Sequence, residues 1–115
     1  ELYVCDDLAC TTGTNQTLVT DGFGGFDPSV AIGADGNPVI SHLDVNNLDL
    51  ELYVCDDLAC TTGTNQTLLT DGDVGYYTSV AIGIDGNPVI SHRDRLNDNL
   101  ELYVGGSATF GIVFE

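Results

Sequence analysis

Apolar positions along this chain come in short β-branched or aromatic runs, each closed by turn residues, and no ten-residue stretch keeps a helical period. Ser29–Gly33 leads through Asp35-Gly36, a strong hairpin signal, into Pro38–His42. Asn46-Asn47 then turns the chain into Leu50–Cys55, where Leu50, Leu52 and Val54 alternate with Glu51 and Tyr53. Past the Cys55–Cys60 loop, Thr64–Thr70 forms a fourth strand. Pro38 and Pro88 open their strands, where a missing N–H is tolerated. The pattern predicts an all-β protein of tandem four-stranded antiparallel units. Alternation also predicts that Val30, Ile32, Leu52 and Val54, with Val80, Ile82, Leu102 and Val104, point one way and are buried between neighbouring units. Asp6, Asp7, Asp56 and Asp57 are expected to stay in solvent, because desolvating unpaired carboxylates is costly.

The pattern recurs because the sequence does. Glu1–Leu50 and Glu51–Leu100 align without a gap and agree at 38 of 50 positions; a third unit opens with Glu101-Leu102-Tyr103-Val104 and diverges over Gly105–Glu115. A fixed period of this length marks a repeat architecture whose units must stack on one another. Four antiparallel strands in fifty residues is the anatomy of a propeller-type blade. Phasing the strands from Glu1 gives a half blade of two strands over residues 1–24, a full blade over 25–74, and a full blade with a divergent C-terminal strand over 75–115. About two and a half blades cannot close a ring within one chain, since propellers use at least about four. An unclosed stack leaves edges that pair with other chains unless blunted. The tail does not blunt its edge: Ser107–Phe114 carries no charge, which makes Ala108, Phe110, Ile112 and Phe114 candidates for a self-assembly contact. Either the chain is a piece of a larger propeller, or copies of it complete one another.

Pro28–Ser41 reads Pro-Ser-Val-Ala-Ile-Gly-Ala-Asp-Gly-Asn-Pro-Val-Ile-Ser and is combined with Cys-Asp-Asp-Leu-Ala-Cys hairpins at Cys5–Cys10 and Cys55–Cys60. In these segments the chain resembles bacterial extracellular tandem repeats related to the Asp-box (BNR, sialidase-like) β-propellers, and the likeness covers nearly its whole length. The resemblance implies blades and says little about ligands. The Asp-box itself is degraded, with Val39 and Val89 where an aromatic is expected after the Asp-Gly turn.

Charge narrows the function classes. Fourteen Asp and four Glu face only Arg93 and Arg95, with no lysine, for a net charge of −16. Nucleic acid is excluded as a partner, since phosphate binding needs cationic side chains to displace counterions, and anionic membrane surfaces are excluded likewise. No run of about 20 apolar residues exists, so no membrane insertion is expected. Cys5/Cys10 and Cys55/Cys60 repeat one short spacing, which points to local disulfides and a secreted or cell-surface location. A thiolate metal site is the alternative, and this spacing without nearby histidine matches zinc patterns poorly. The absence of Met leads us to expect a processed or excised piece.

Candidate chemistry is sparse. Almost every polar residue occurs twice at equivalent places, whereas an enzyme site needs unlike residues converging once. Two arginines from one repeat cannot form the carboxylate clamp of sialidase chemistry, so no enzyme is expected. Asp44, Asn46, Asn47 and Asp49, with Asp94 and Asp98 in the second repeat, form oxygen-rich turns that are candidates for calcium, though without the order of an EF-hand loop. His42 with Asp44, and His92 with Asp94, lie two apart and share a strand face. Asn15-Gln16-Thr17 and Asn65-Gln66-Thr67 fit the N-glycosylation pattern at Asn15 and Asn65. Tyr76 and Tyr77, with Phe23 and Phe26, fit either a glycan-stacking platform or packing between blades. The expected function is non-catalytic: an extracellular structural repeat that self-assembles with copies of itself through open blades into a fibre or surface array. The alternative is a glycan- or protein-binding fragment of a larger Asp-box-like propeller.

Overall fold

The computed structural model describes residues 1–105, and these contain nine strands and no helix. They are β1 (Leu2–Cys5), β2 (Gly13–Gln16), β3 (Phe26–Ile32), β4 (Pro38–Asp44), β5 (Asp49–Cys55), β6 (Gly63–Leu69), β7 (Tyr76–Ile82), β8 (Pro88–Asp94) and β9 (Asn99–Val104). The strands form antiparallel meanders: a two-stranded sheet β1-β2, a four-stranded sheet β3-β4-β5-β6, and a three-stranded sheet β7-β8-β9. The four-stranded sheet is one complete propeller-type blade, and the described residues form no closed barrel. The predicted tail strand with Ala108, Phe110, Ile112 and Phe114 lies outside the described residues.

Local chemistry sets the elements. The Asp35-Gly36 and Asp85-Gly86 turns use glycine at positive φ, and the aspartate carboxylate accepts the backbone N–H of Asn37 or Asn87 two residues on. Gly63 has no side chain because the Tyr53 ring lies directly across it. A bulge between Phe26 and Ser29, and its repeat between Tyr76 and Ser79, puts Asp27 and Tyr77 at positive φ.

Each blade is apolar on both faces. Register places Ala31, Val39, Leu52 and Val54 on one face of the complete blade. Val30, Ile40 and Tyr53 lie on the other. The first face packs on the three-stranded blade, joining Val39, Leu50 and Leu52 to Val74, Val80 and Ile90 in one core. The second face meets the two-stranded sheet, where Tyr53 and the Cys55–Cys60 pair pack with Leu2, Leu18 and Val19. Thr78 fixes the first junction: its hydroxyl donates to the Asp27 carbonyl at 2.7 Å and accepts from the Ser41 hydroxyl, also at 2.7 Å and buried.

This register corrects the expectation that Val30 and Ile32 point the same way as Leu52 and Val54. They lie on opposite faces, so each set is covered by a different neighbour. Val80 is 7% exposed but its repeat mate Val30 is 53%, because β1-β2 has no inner strands to cover Val30. Leu52 is 5% exposed but Leu102 is 62%, because no blade packs on the outer face of β7-β8-β9 among the described residues. Ile32 and Val104 are exposed for the same reasons, Val54 and Ile82 are half-buried, and only Leu52 and Val80 of the eight are fully covered. Asp6, Asp7 and Asp56 are exposed as expected, and Asp57 is half-buried.

Identical side chains in unlike surroundings make a direct test. In dilute solution Leu52→Ala should cost about 2–5 kcal/mol of stability, the usual range for a core leucine. Leu102→Ala should stay within about 0.5 kcal/mol. Urea unfolding of both variants checks the contrast.

Candidate functional site

Both predicted disulfides are present. Cys5 pairs with Cys10 and Cys55 with Cys60, each with Cα atoms 4.9 Å apart, closing the tip of the β1-β2 and β5-β6 hairpins. Asp7 and Asp57 organise these loops by accepting the backbone N–H and the hydroxyl of Thr11 and Thr61, and those bonds hold both carboxyls below the ordinary range. No helix is long and apolar enough to cross a membrane.

The outer half of the complete blade carries a polar network across three strands. Gly25 N–H donates to His42 Nδ1 at 3.0 Å, which leaves the proton on Nε2 to be donated to Asn65 Oδ1 at 2.8 Å. Asn65 Nδ2 donates to Glu51 at 2.8 Å, and the Thr67 hydroxyl donates to the same carboxylate at 3.0 Å. His42 and Glu51 are both buried, so the chain of bonds is what makes their burial tolerable. Sequence reading singled out His42 and Asn65 for other roles and missed Glu51 and Thr67. The available signal was their alternation: Glu51 pairs with Thr67 across β5 and β6, and Asn65, two residues before Thr67, shares its strand face.

The network is split at the two ends of the molecule. In the two-stranded sheet Asn15 and Thr17 donate to Glu1, with no histidine beside them. In the three-stranded blade His92 receives the Gly75 N–H at 3.3 Å and lies 3.9 Å from Glu101, the separation of His42 and Glu51, and among the described residues no asparagine bridges them. Burial pushes His92 below the ordinary imidazole value despite the nearby Glu101.

The oxygen-rich turns are self-satisfied. Asp44 accepts the backbone N–H groups of Asn46 and Asn47 and the side-chain amide of Asn47 at 2.9–3.3 Å, and Asp94 does the same with Leu96 and Asn97 at 2.8–3.2 Å. Burial raises Asp44, yet those bonds outweigh it and hold it below the ordinary range; at Asp94 the Asn97 amide does so foremost. Asp49 is buried beside Asp44 and Glu51, and burial followed by their charges pushes it up. Asp98 instead pairs with Arg93. Among the described residues no three His, Cys, Asp or Glu side chains gather in a metal-binding arrangement. His42 has both ring nitrogens engaged by protein atoms, which removes it as a free ligand beside Asp44.

The aromatic residues do not form one platform. Tyr76 is half-buried under the Arg95 guanidinium, 4.9 Å from its ring centre, while Tyr77 is exposed with its ring tilted 55° to that of Tyr76. Phe23 and Phe26 are exposed in the first repeat. A groove of about 500 Å³ opens between the complete and three-stranded blades, lined by Val54, Gln66, Leu68, Ile82, Tyr103 and Gly105 among others. Comparison with protein-family models, with curated proteins and with solved structures finds no match.

Two variants probe this chemistry. Asn65→Ala removes a partner from buried Glu51 and from His42, so it should destabilise by about 1–3 kcal/mol in denaturant titration. Asp49→Asn, which copies the residue at position 99, should raise the melting temperature at neutral pH. The sign follows from its raised carboxyl: the charged form burdens the fold above that value, and protonation relieves the burden below it. The gain should therefore shrink in melts taken at progressively lower pH.

Proposed function

We propose that the protein is a non-catalytic, extracellular structural repeat that self-assembles through its open blade faces into a fibre or surface array. The observation that carries this reading is that its two outer faces repeat the main apolar side chains of the two surfaces of its internal junction. Leu50 and Leu52 are 0% and 5% exposed against the neighbouring blade, whereas Leu100 and Leu102 on the equivalent outer face are 86% and 62% exposed. Val30 and Ile32 on the opposite outer face are the mates of Val80 and Ile82, which pack in that junction. The occupant for which each face is shaped is thus a further unit of the same repeat. Burying one such side chain contributes about 1.5–3 kcal/mol, so a few per junction offset a substantial loss of freedom. Disulfide-closed loops support placement in an oxidising compartment.

The heterologous pairing of unlike faces propagates into a filament, or into a ring if the rotation closes. Light scattering and electron microscopy of the full chain should therefore show species larger than the monomer. Val30→Asp and Ile32→Asp should raise the concentration needed for assembly by tenfold or more, on the order of the hydrophobic contribution of one buried side chain, with little effect on monomer melting. A monodisperse monomer at all concentrations would overturn the proposal; a fixed, closed particle that binds glycan would favour the binding-module reading.

A further inference from the structure

Two units that agree at 38 of 50 positions can mispair, because a copy of either one offers nearly the same surface as the right neighbour. Five of the twelve differing positions cluster in one segment, Phe23–Pro28 against Asp73–Thr78. On the third blade, Val74, Tyr77 and Thr78 of this segment touch the complete blade. We infer that the segment decides which blade fits: the complete blade is built to seat the three-stranded blade and to refuse a second copy of itself. This holds whether or not copies assemble, because the seat and the blade it selects lie in one chain.

Three contacts make the distinction. The Val74 side chain is 3% exposed in the core shared with Leu50 and Leu52, and its N–H donates to the Leu48 carbonyl at 3.2 Å. At the bulge the Tyr77 N–H donates to the Asp27 carboxylate at 3.0 Å. Thr78, the next residue, donates its hydroxyl to the Asp27 carbonyl at 2.7 Å and accepts from the Ser41 hydroxyl, also at 2.7 Å. Ser41 is 0% exposed, so its hydroxyl depends on that one acceptor.

A copy of the complete blade on the same seat would bring Gly24 and Pro28 instead. Glycine leaves a hole where Val74 packs, and proline leaves the Ser41 hydroxyl buried without its acceptor. The seat is marked as well. Tyr77 stands where Asp27 does in the repeat and has no carboxylate, so a copy of the third blade cannot replace the complete one.

Contacts common to both repeats do not discriminate. Ser29 accepts the Val80 N–H at 3.1 Å, but Ser29 and Val30 recur as Ser79 and Val80. Backbone shape is shared too, with Asp27 and Tyr77 at φ 51° and 53° in equivalent bulges. Selection therefore rests on polar groups and core volume that the wrong blade would leave unpaired or unfilled, which separates near-identical partners more sharply than added attraction does.

Urea unfolding of the full chain in dilute solution tests this by giving each surface its mate's residue. Thr78→Pro copies position 28, where the same strand already accepts proline, and should lower the folding constant about tenfold. Asp27→Tyr copies position 77 and should lower it about fivefold. Leu96→Asn copies another differing position, exposed and away from these contacts, and should change it by no more than about twofold. A mutant cycle isolates the hydroxyl pair. Ser41→Ala should weaken the wild-type fold yet recover part of the loss caused by Thr78→Val, because it removes the stranded group. Thr78→Pro and Asp27→Tyr variants no weaker than Leu96→Asn, or a Ser41→Ala cost that is equal in both backgrounds, would overturn the inference.

Discussion

Everything in this molecule follows from a sheet that is apolar on both faces. A sheet that packs on one side only can put polar residues on the other, but here Leu52 and Tyr53, adjacent on one strand, are both buried on opposite faces. A blade of this kind is stable only as the middle of a stack. The complete blade has a neighbour on each side and holds most of the buried residues, whereas among the described residues the sheets flanking it are covered on their inner faces only.

Strands, turns and disulfides were legible in the sequence because they are set locally, by alternation, Asp-Gly turns and cysteine spacing. Strand limits moved outward by a few residues, as at β3, which starts at Phe26 rather than Ser29. The face of each side chain was not legible. Alternation within a strand says that Val30 and Ile32 go together and that Leu52 and Val54 go together, but only the pairing of Ser41 with Leu52 and of Val30 with Ile40 tells which sets share a face. Coverage was legible even less, since residues such as Leu50 and Leu100 have nearly the same local sequence and differ only in what lies beyond them. The Glu51–Asn65–His42 network escaped for a related reason: its members lie 9 to 23 residues apart and meet only once β4, β5 and β6 are in register.

The acidity of the chain has a structural use. Seven of the 14 aspartates (Asp7, Asp21, Asp35, Asp44, Asp57, Asp85 and Asp94) accept backbone N–H groups within their own turns. Each satisfies donors that a tight turn would leave unpaired, a role to which a short ionised side chain is suited. Repeating the unit repeats the turns, and the charge accumulates with them. The cost is self-repulsion between stacked units, which is smallest where the charges sit at blade tips and the faces between them stay apolar.

The two arginines show how the repeats diverge without losing the stack. Arg93 replaces Leu43 while Asp98 replaces Leu48, and the newcomers form an ion pair. Arg95 replaces Val45 while Asp73 and Tyr76 replace Phe23 and Phe26, and Arg95 lies 3.7 Å from Asp73 and over the Tyr76 ring. Each cation arrives with its partner, so an apolar cluster is exchanged for a paired polar one. Such exposed pairs contribute only about 0–1 kcal/mol, so stability does not account for them. Position does: Leu43 is buried, where an arginine would lose its hydration, whereas Arg93 is exposed. The outer face of the third blade is consequently not a copy of the second. Where the complete blade carries Leu43 and Leu48, the third blade carries the Arg93–Asp98 ion pair, so that corner is polar.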